Sequence, residues 1–143
     1  MKEDTVKLLK ECDSGIKMGV SVIDGVIDEV RNCDLKRILE DSKSEHEHLR
    51  KDIEIYLSSM KEEGMEPTLM AKSMSWMDTN MKLLVDDRDT RIAEIVTDGC
   101  NMGVKTLSQY LNKYSYANDM AKDLTRKLID IEEKLAKDIR KYL

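Results

Sequence analysis

The sequence predicts an all-α bundle of two helical hairpins joined by a crossover helix, and three observations carry that expectation. Apolar residues recur at three-, four- and seven-residue steps along most of its length. The composition, 41% apolar with 4% aromatic residues, no Phe, one Pro and 37% charged residues, suits helices with Leu, Ile, Val and Met inside better than a sandwich or barrel. The third observation is a repeat. SEHEHLRKDIEIYL, residues 44–57, returns in degenerate form as DIEEKLAKDIRKYL, residues 130–143. A shift of 86 superposes Leu49 on Leu135, Lys51 on Lys137, Asp52 on Asp138, Ile53 on Ile139, Tyr56 on Tyr142 and Leu57 on Leu143. Upstream, a shift of 84 superposes Gly15, Met18, Gly19 and Val20 on Gly99, Met102, Gly103 and Val104.

The 143 residues are read as a single domain with a hairpin over 1–63, a crossover over 64–86 and a second hairpin over 87–143. The first helix is expected over about residues 5–31 on Leu9, Ile16, Val20, Ile23, Ile27 and Val30, with Asp4 or Thr5 capping its start. Gly15 and Gly19 lie one turn apart inside it, each costing roughly 1 kcal/mol against Ala, which points to a close helix crossing. Gly99 and Gly103 repeat the device. Asn32 is expected to end the first helix in the left-handed conformation and Asp34 to cap the second. The second helix should run to about Lys61 on Leu35, Ile38, Leu39, Ser42, Glu45, Leu49, Ile53, Tyr56 and Met60, with Gly64 ending it.

Pro67 suits the first position of the next helix, and Met70, Met74, Met77, Met81 and Leu84 extend a helical stripe, so residues 68–85 are read as the crossover helix. DDRD, residues 86–89, supplies caps and a break. The third helix is expected over about 90–113 on Ile92, Ile95, Val96, Cys100, Val104, Leu107 and Leu111. After the SYAND turn the fourth follows on Ala121, Leu124, Leu128, Ile131, Leu135 and Ile139.

Several function classes are disfavoured at this level. A net charge of −5, with Lys and Arg interleaved among Asp and Glu, offers no basic footprint for nucleic acid. No run approaches the roughly 18 apolar residues of a membrane span. MKEDTVKLLK lacks the apolar core of a signal peptide, so a cytoplasmic location is expected. Cys12, Cys33 and Cys100, odd in number and without C-x-x-C spacing, read as idle or buried thiols.

Glu45 and His48 form an E-x-x-H pair, and i, i+3 spacing sets a carboxylate and an imidazole on one helix face. This motif, within KSEHEHLRKDIEIYL and beside paired hairpins with a long crossover, resembles the ferritin-like superfamily. More closely, MSWMDTNMKLLVDDRDTRIAEIVTDGCNMGVKTLSQYLNKY, with TVKLLKECDSGIKMG at the front, is similar to an uncharacterised bacterial family of ferritin-like domains in which a Trp-Met-Asp helix precedes the third bundle helix. The resemblance implies a ferritin-like four-helix bundle and no assigned reaction.

A superfamily metal site takes one Glu from each of two helices and an E-x-x-H from each of the other two. Here Glu45 aligns with Ile131 and His48 with Lys134, so the last helix supplies neither ligand. Asp24 and Asp13 are short candidates on the first helix. Because Ile131 lies on its stripe, Glu45 is expected to face inward, where His48 or Ser42 would satisfy it without metal; His46 and Glu47 are expected to face solvent. Asp52 and Asp138 read as solvated flanks, with an acidic layer including Asp13 and Asp98 as the alternative. The methionine stripe reads as packing rather than a copper site. Trp76 beside it marks a strip for self-association or a helical partner. The expectation is a non-catalytic interaction or structural protein with no resident cofactor. The alternative is a redox or iron-handling protein holding iron or another divalent metal through Glu45 and His48.

Overall fold

The computed structural model describes residues 2–64 and 88–143, and every described element is helical. α1 spans Lys2–Val26, α2 Cys33–Ser59, α3 Arg88–Lys113 and α4 Asp119–Asp138, with short 3-10 turns at Ile27–Glu29 and Arg140–Tyr142. α1 packs on α2 and α3 on α4; between these hairpins α1 meets α3, α2 meets α4, and α1 also reaches α4 through the middle. The expected crossover helix over 68–85, the methionine stripe and Trp76 lie outside the described residues.

The helix limits follow from local chemistry, not always at the expected residues. Asn32 does not end α1; it sits in extended backbone and caps α2, its side chain accepting from the Asp34 and Leu35 N–H groups at 2.8 and 3.0 Å. Asp34 lies inside the first turn of α2, beside Arg37. α1 begins ahead of Asp4 and Thr5, and both turn outward to the other hairpin: Asp4 accepts from Tyr116 N–H at 3.1 Å and Thr5 from Asn118 N–H at 2.8 Å. Gly64 does not terminate α2 either. Lys61 takes the left-handed conformation, φ 58°, while Glu62 N–H reaches the Leu57 carbonyl and Lys61 N–H the Ser58 carbonyl, which is Schellman bonding with a lysine where glycine is usual.

Two apolar clusters make the core. One gathers Leu8, Leu9, Ile16, Leu49, Ile53, Leu57, Leu107, Leu124 and Leu128; the other gathers Ile23, Val26, Leu35, Leu39, Ile92, Val96, Cys100, Leu135 and Ile139. About two turns separate the two sets on α1, α3 and α4 and about three on α2, and at that level the buried side chains, Ser42, His46 and Glu132, are polar. Gly15 admits Leu128 from α4 in ordinary contact, and Gly19 is crowded, but Gly99 faces open space, so the four glycines are not four copies of one tight crossing.

Candidate functional site

The polar level is built by the helical repeat itself. On α2 the buried residues are Leu35, Leu39, Ser42, His46, Leu49, Ile53 and Leu57, alternating steps of four and three until the last, the spacing that keeps one seam against its neighbours. On α4 they are Ala121, Leu124, Thr125, Leu128, Glu132 and Leu135. His46 and Glu132 are therefore core residues on facing seams, 1% and 8% exposed.

Their side chains close on one another. His46 Nε2 lies 2.7 Å from Glu132 Oε1, and Nδ1 lies 2.7 Å from the backbone carbonyl of Ser42. A carbonyl only accepts, so Nδ1 carries a proton, and the Nε2···Oε1 contact is completed by a second proton shared between imidazole and carboxylate. The Ser42 hydroxyl stands 3.4 Å from Nδ1. Burial pushes the imidazolium down, but the Glu132 hydrogen bond and charge, with the Ser42 carbonyl, outweigh it and hold His46 above its ordinary value.

α1 and α3 contribute absence of bulk. A Cβ on Gly19 would sit 3.2 Å from His46 Nε2 and 3.6 Å from Glu132 Oε1, and one on Gly103 would sit 3.5 Å from the Glu132 carboxylate carbon. Each hairpin thus sets a glycine on its first helix against the polar residue on its second. Cys100, a turn before Gly103, is buried; burial first, then the Glu132 charge, pushes its thiol well up, leaving it protonated and unreactive. Cys12 is likewise pushed up to about 12 by burial, against the opposing hydrogen bond with Thr125 at 3.1 Å, and no cysteine is paired among the described residues.

The residues expected to bind metal are dispersed. Glu45 does not face inward: it lies at the rim, bonded to Lys134 Nζ at 2.8 Å. His48 is exposed on the outer face, and His46, expected in solvent, is the buried histidine. The cause is one residue of phase: the seam passes through 42, 46 and 49, and Glu45 and His48 flank it, as Ile131 flanks the seam of α4. Asp24 is exposed and paired with Lys43 at 2.6 Å. Asp13 is wholly buried against Lys17 Nζ at 2.8 Å, with Arg50 Nε at 3.6 Å, about two turns from the His46 level. Among the described residues no three His, Cys, Asp or Glu side chains converge as a cation site, so the donors do not fit the metal centre that the resemblance implies. Asp52, Asp98 and Asp138 are exposed, which leaves no acidic layer across the core.

No protein-family model, curated protein or solved structure matches the chain.

In the sequence, His46 is the residue that completes the steps 39, 42, 46, 49; its polarity and the neighbouring E-x-x-H point one position away. A 60 Å³ recess between α2 and α4, bounded by Ile38, Asp41, Ser42, Glu45, Ile131, Lys134, Leu135 and Asp138, has room for water rather than for an organic substrate. Among the described residues, no helix is long and apolar enough to cross a membrane.

Proposed function

We propose that this chain is a ferritin-like bundle of two related hairpins that acts as a non-catalytic interaction or structural module. The observation that carries the reading is the closed His46–Glu132 contact: the level where four helices could present metal ligands to one another is filled by two side chains bonded to each other and to the Ser42 carbonyl. Both nitrogens of the imidazole are engaged in this way, so it has no lone pair left for a cation, and the Glu132 oxygen that faces it is held by Nε2; the two flanking positions hold glycines, which ligate nothing through a side chain. Further support comes from Glu45, whose partner is the ammonium of Lys134, a charge that opposes a cation at the same place.

The relation between hairpins is supported by offsets. His46 and Glu132 are 86 residues apart, as are the two capping asparagines Asn32 and Asn118; Gly19 and Gly103, like Thr5 and Asp89, are 84 apart. These are the shifts at which the two halves of the sequence match.

One surface feature favours weak metal binding as a second reading. Glu45, His48, Asp52 and Asp130 border an open groove between α2 and α4, shared with Lys127. Metal analysis of protein purified without chelator separates the readings. Under the proposal it carries no diiron centre, shows no ferroxidase activity and holds at most one divalent ion weakly. Two equivalents of iron per chain, lost in His48→Ala, would overturn it. Oligomeric mass and co-purifying proteins, with Trp76 replaced in a parallel sample, test the interaction role.

A further inference from the structure

A buried hydrogen-bonded ion pair is a poor way to gain stability, because an apolar pair of similar volume is often as stable or more so. What it supplies is discrimination. Apart from His46 and the small Ser42, the α2 seam offers only Leu and Ile to α4, and apart from Glu132 and Thr125 the α4 seam offers only Ala, Leu and Ile. Apolar side chains of similar size accept a slide of one helical turn with little penalty. The polar pair does not. A slide of four residues one way carries Glu132 toward Leu49 and His46 toward Leu135, and the other way carries Glu132 toward Ser42 and His46 toward Leu128; both break the pair and both strand the imidazole in an apolar cluster.

The same logic applies to partners. If the hairpins are two copies of one unit, each seam is equally suited to its own duplicate in a second copy of the chain. Like-with-like pairing would set His46 against His46, or Glu132 against Glu132, and both combinations lack the donor–acceptor match of the native contact.

We propose that the His46–Glu132 pair is a pairing key, which fixes the register of α2 on α4 and selects the joining of unlike hairpins within one chain over association of like hairpins between chains. Gly19 and Gly103 are part of the key, since each leaves room beside one member. On the two-hairpin reading above, the members are exchangeable: glutamate at 46 would find the glycine notch of α1 as glutamate at 132 finds that of α3.

The test uses the full chain in four variants: His46→Glu, Glu132→His, the exchange H46E/E132H, and the apolar double H46L/E132L. Thermal midpoint, the amide peak count in a proton–nitrogen correlation spectrum and mass by light scattering are measured for each. The expected result is a large loss of midpoint in both single variants and recovery of most of it in the exchange. The apolar double should keep its helicity and midpoint while showing multiplied or broadened peaks, or a mass above that of one chain. A single sharp set of peaks and the wild-type mass in the apolar double would overturn the key, whether or not the single variants fold. Loss of uniqueness in the apolar double without recovery in the exchange would uphold the key and overturn the equivalence of the hairpins.

Discussion

Asn32 and Asn118 hold the same position in the two hairpins. Each caps the second helix of its hairpin with its side chain, and each gives its backbone N–H to the first turns of the other hairpin's leading helix: Asn32 to Asp89 at 2.9 Å, Asn118 to Thr5 at 2.8 Å. The Asp89 carboxylate takes Arg31 N–H as well, at 2.8 Å, and Arg88 pairs with Glu29. Each turn is thus clasped by the hairpin it does not belong to. Asn32→Ala and Asn118→Ala should each lower unfolding free energy by about 1 kcal/mol. Asp89→Ala should do so by a similar or larger amount, since the N–H groups of Arg31 and Asn32 lose a charged acceptor together. Denaturant midpoints at unchanged slope check these values, and a double variant joining Asn118→Ala with Asp89→Ala should be additive because the clasps lie at different turns.

Gly99 and Gly19, one from each glycine pair, should respond oppositely to alanine. Gly99 has open space where the methyl would go, so Gly99→Ala should raise stability by about 0.5–1 kcal/mol through helix propensity alone. Beside the His46–Glu132 pair, Gly19→Ala places a methyl 3.2 Å from His46 Nε2 and should lower stability despite the same propensity gain. Thermal unfolding of the two variants side by side decides it.

Lys61→Gly should stabilise the end of α2. The lysine occupies left-handed backbone that costs an L-residue roughly 1–2 kcal/mol, and glycine relieves it while giving back part of the gain as unfolded-chain entropy. A net rise below about 1 kcal/mol in chemical denaturation is expected, and a loss would show that the lysine side chain contributes contacts of its own.

The central pair also sets a pH dependence. Because His46 titrates above its ordinary value of 6.5 in the folded chain, its contribution is complete below that pH and is lost as pH rises through the folded value. Stability should therefore fall as pH rises from 6.5 through the folded value, with a slope of at most about 1.4 kcal/mol per pH unit. In His46→Gln the decline should vanish. Imidazole nitrogen shifts in the wild-type protein, showing both ring nitrogens protonated at neutral pH or not, give the protonation state without relying on a variant.

Much of the framework was legible in the sequence because it depends on neighbours along the chain. Helix periodicity, the apolar seams of α1 and α3 and the all-helical class follow from local spacing, and the four described helices lie within a few residues of where that spacing puts them. Asp4, Thr5 and Asp89 were legible as capping residues by type, but which N–H groups they take was not, since those groups belong to the turn of the other hairpin, 57 to 113 residues away along the chain.

The site itself was decided by tertiary structure. Sequence alone determines that α2 carries Glu45, His46 and His48 within one turn, and that its last counterpart carries Glu132; it does not say which of them face one another. One residue of helix phase is about 100°, enough to move an imidazole from solvent to the core, and that angle is set by how α2 lies against α1 and α4 together. The packing buries His46, leaves Glu45 to Lys134 at the rim, and leaves His48 in water. Burial then gives the two chosen groups their chemistry: far from water, the histidine and the glutamate satisfy each other across the helix contact, and the Ser42 carbonyl takes the other imidazole N–H.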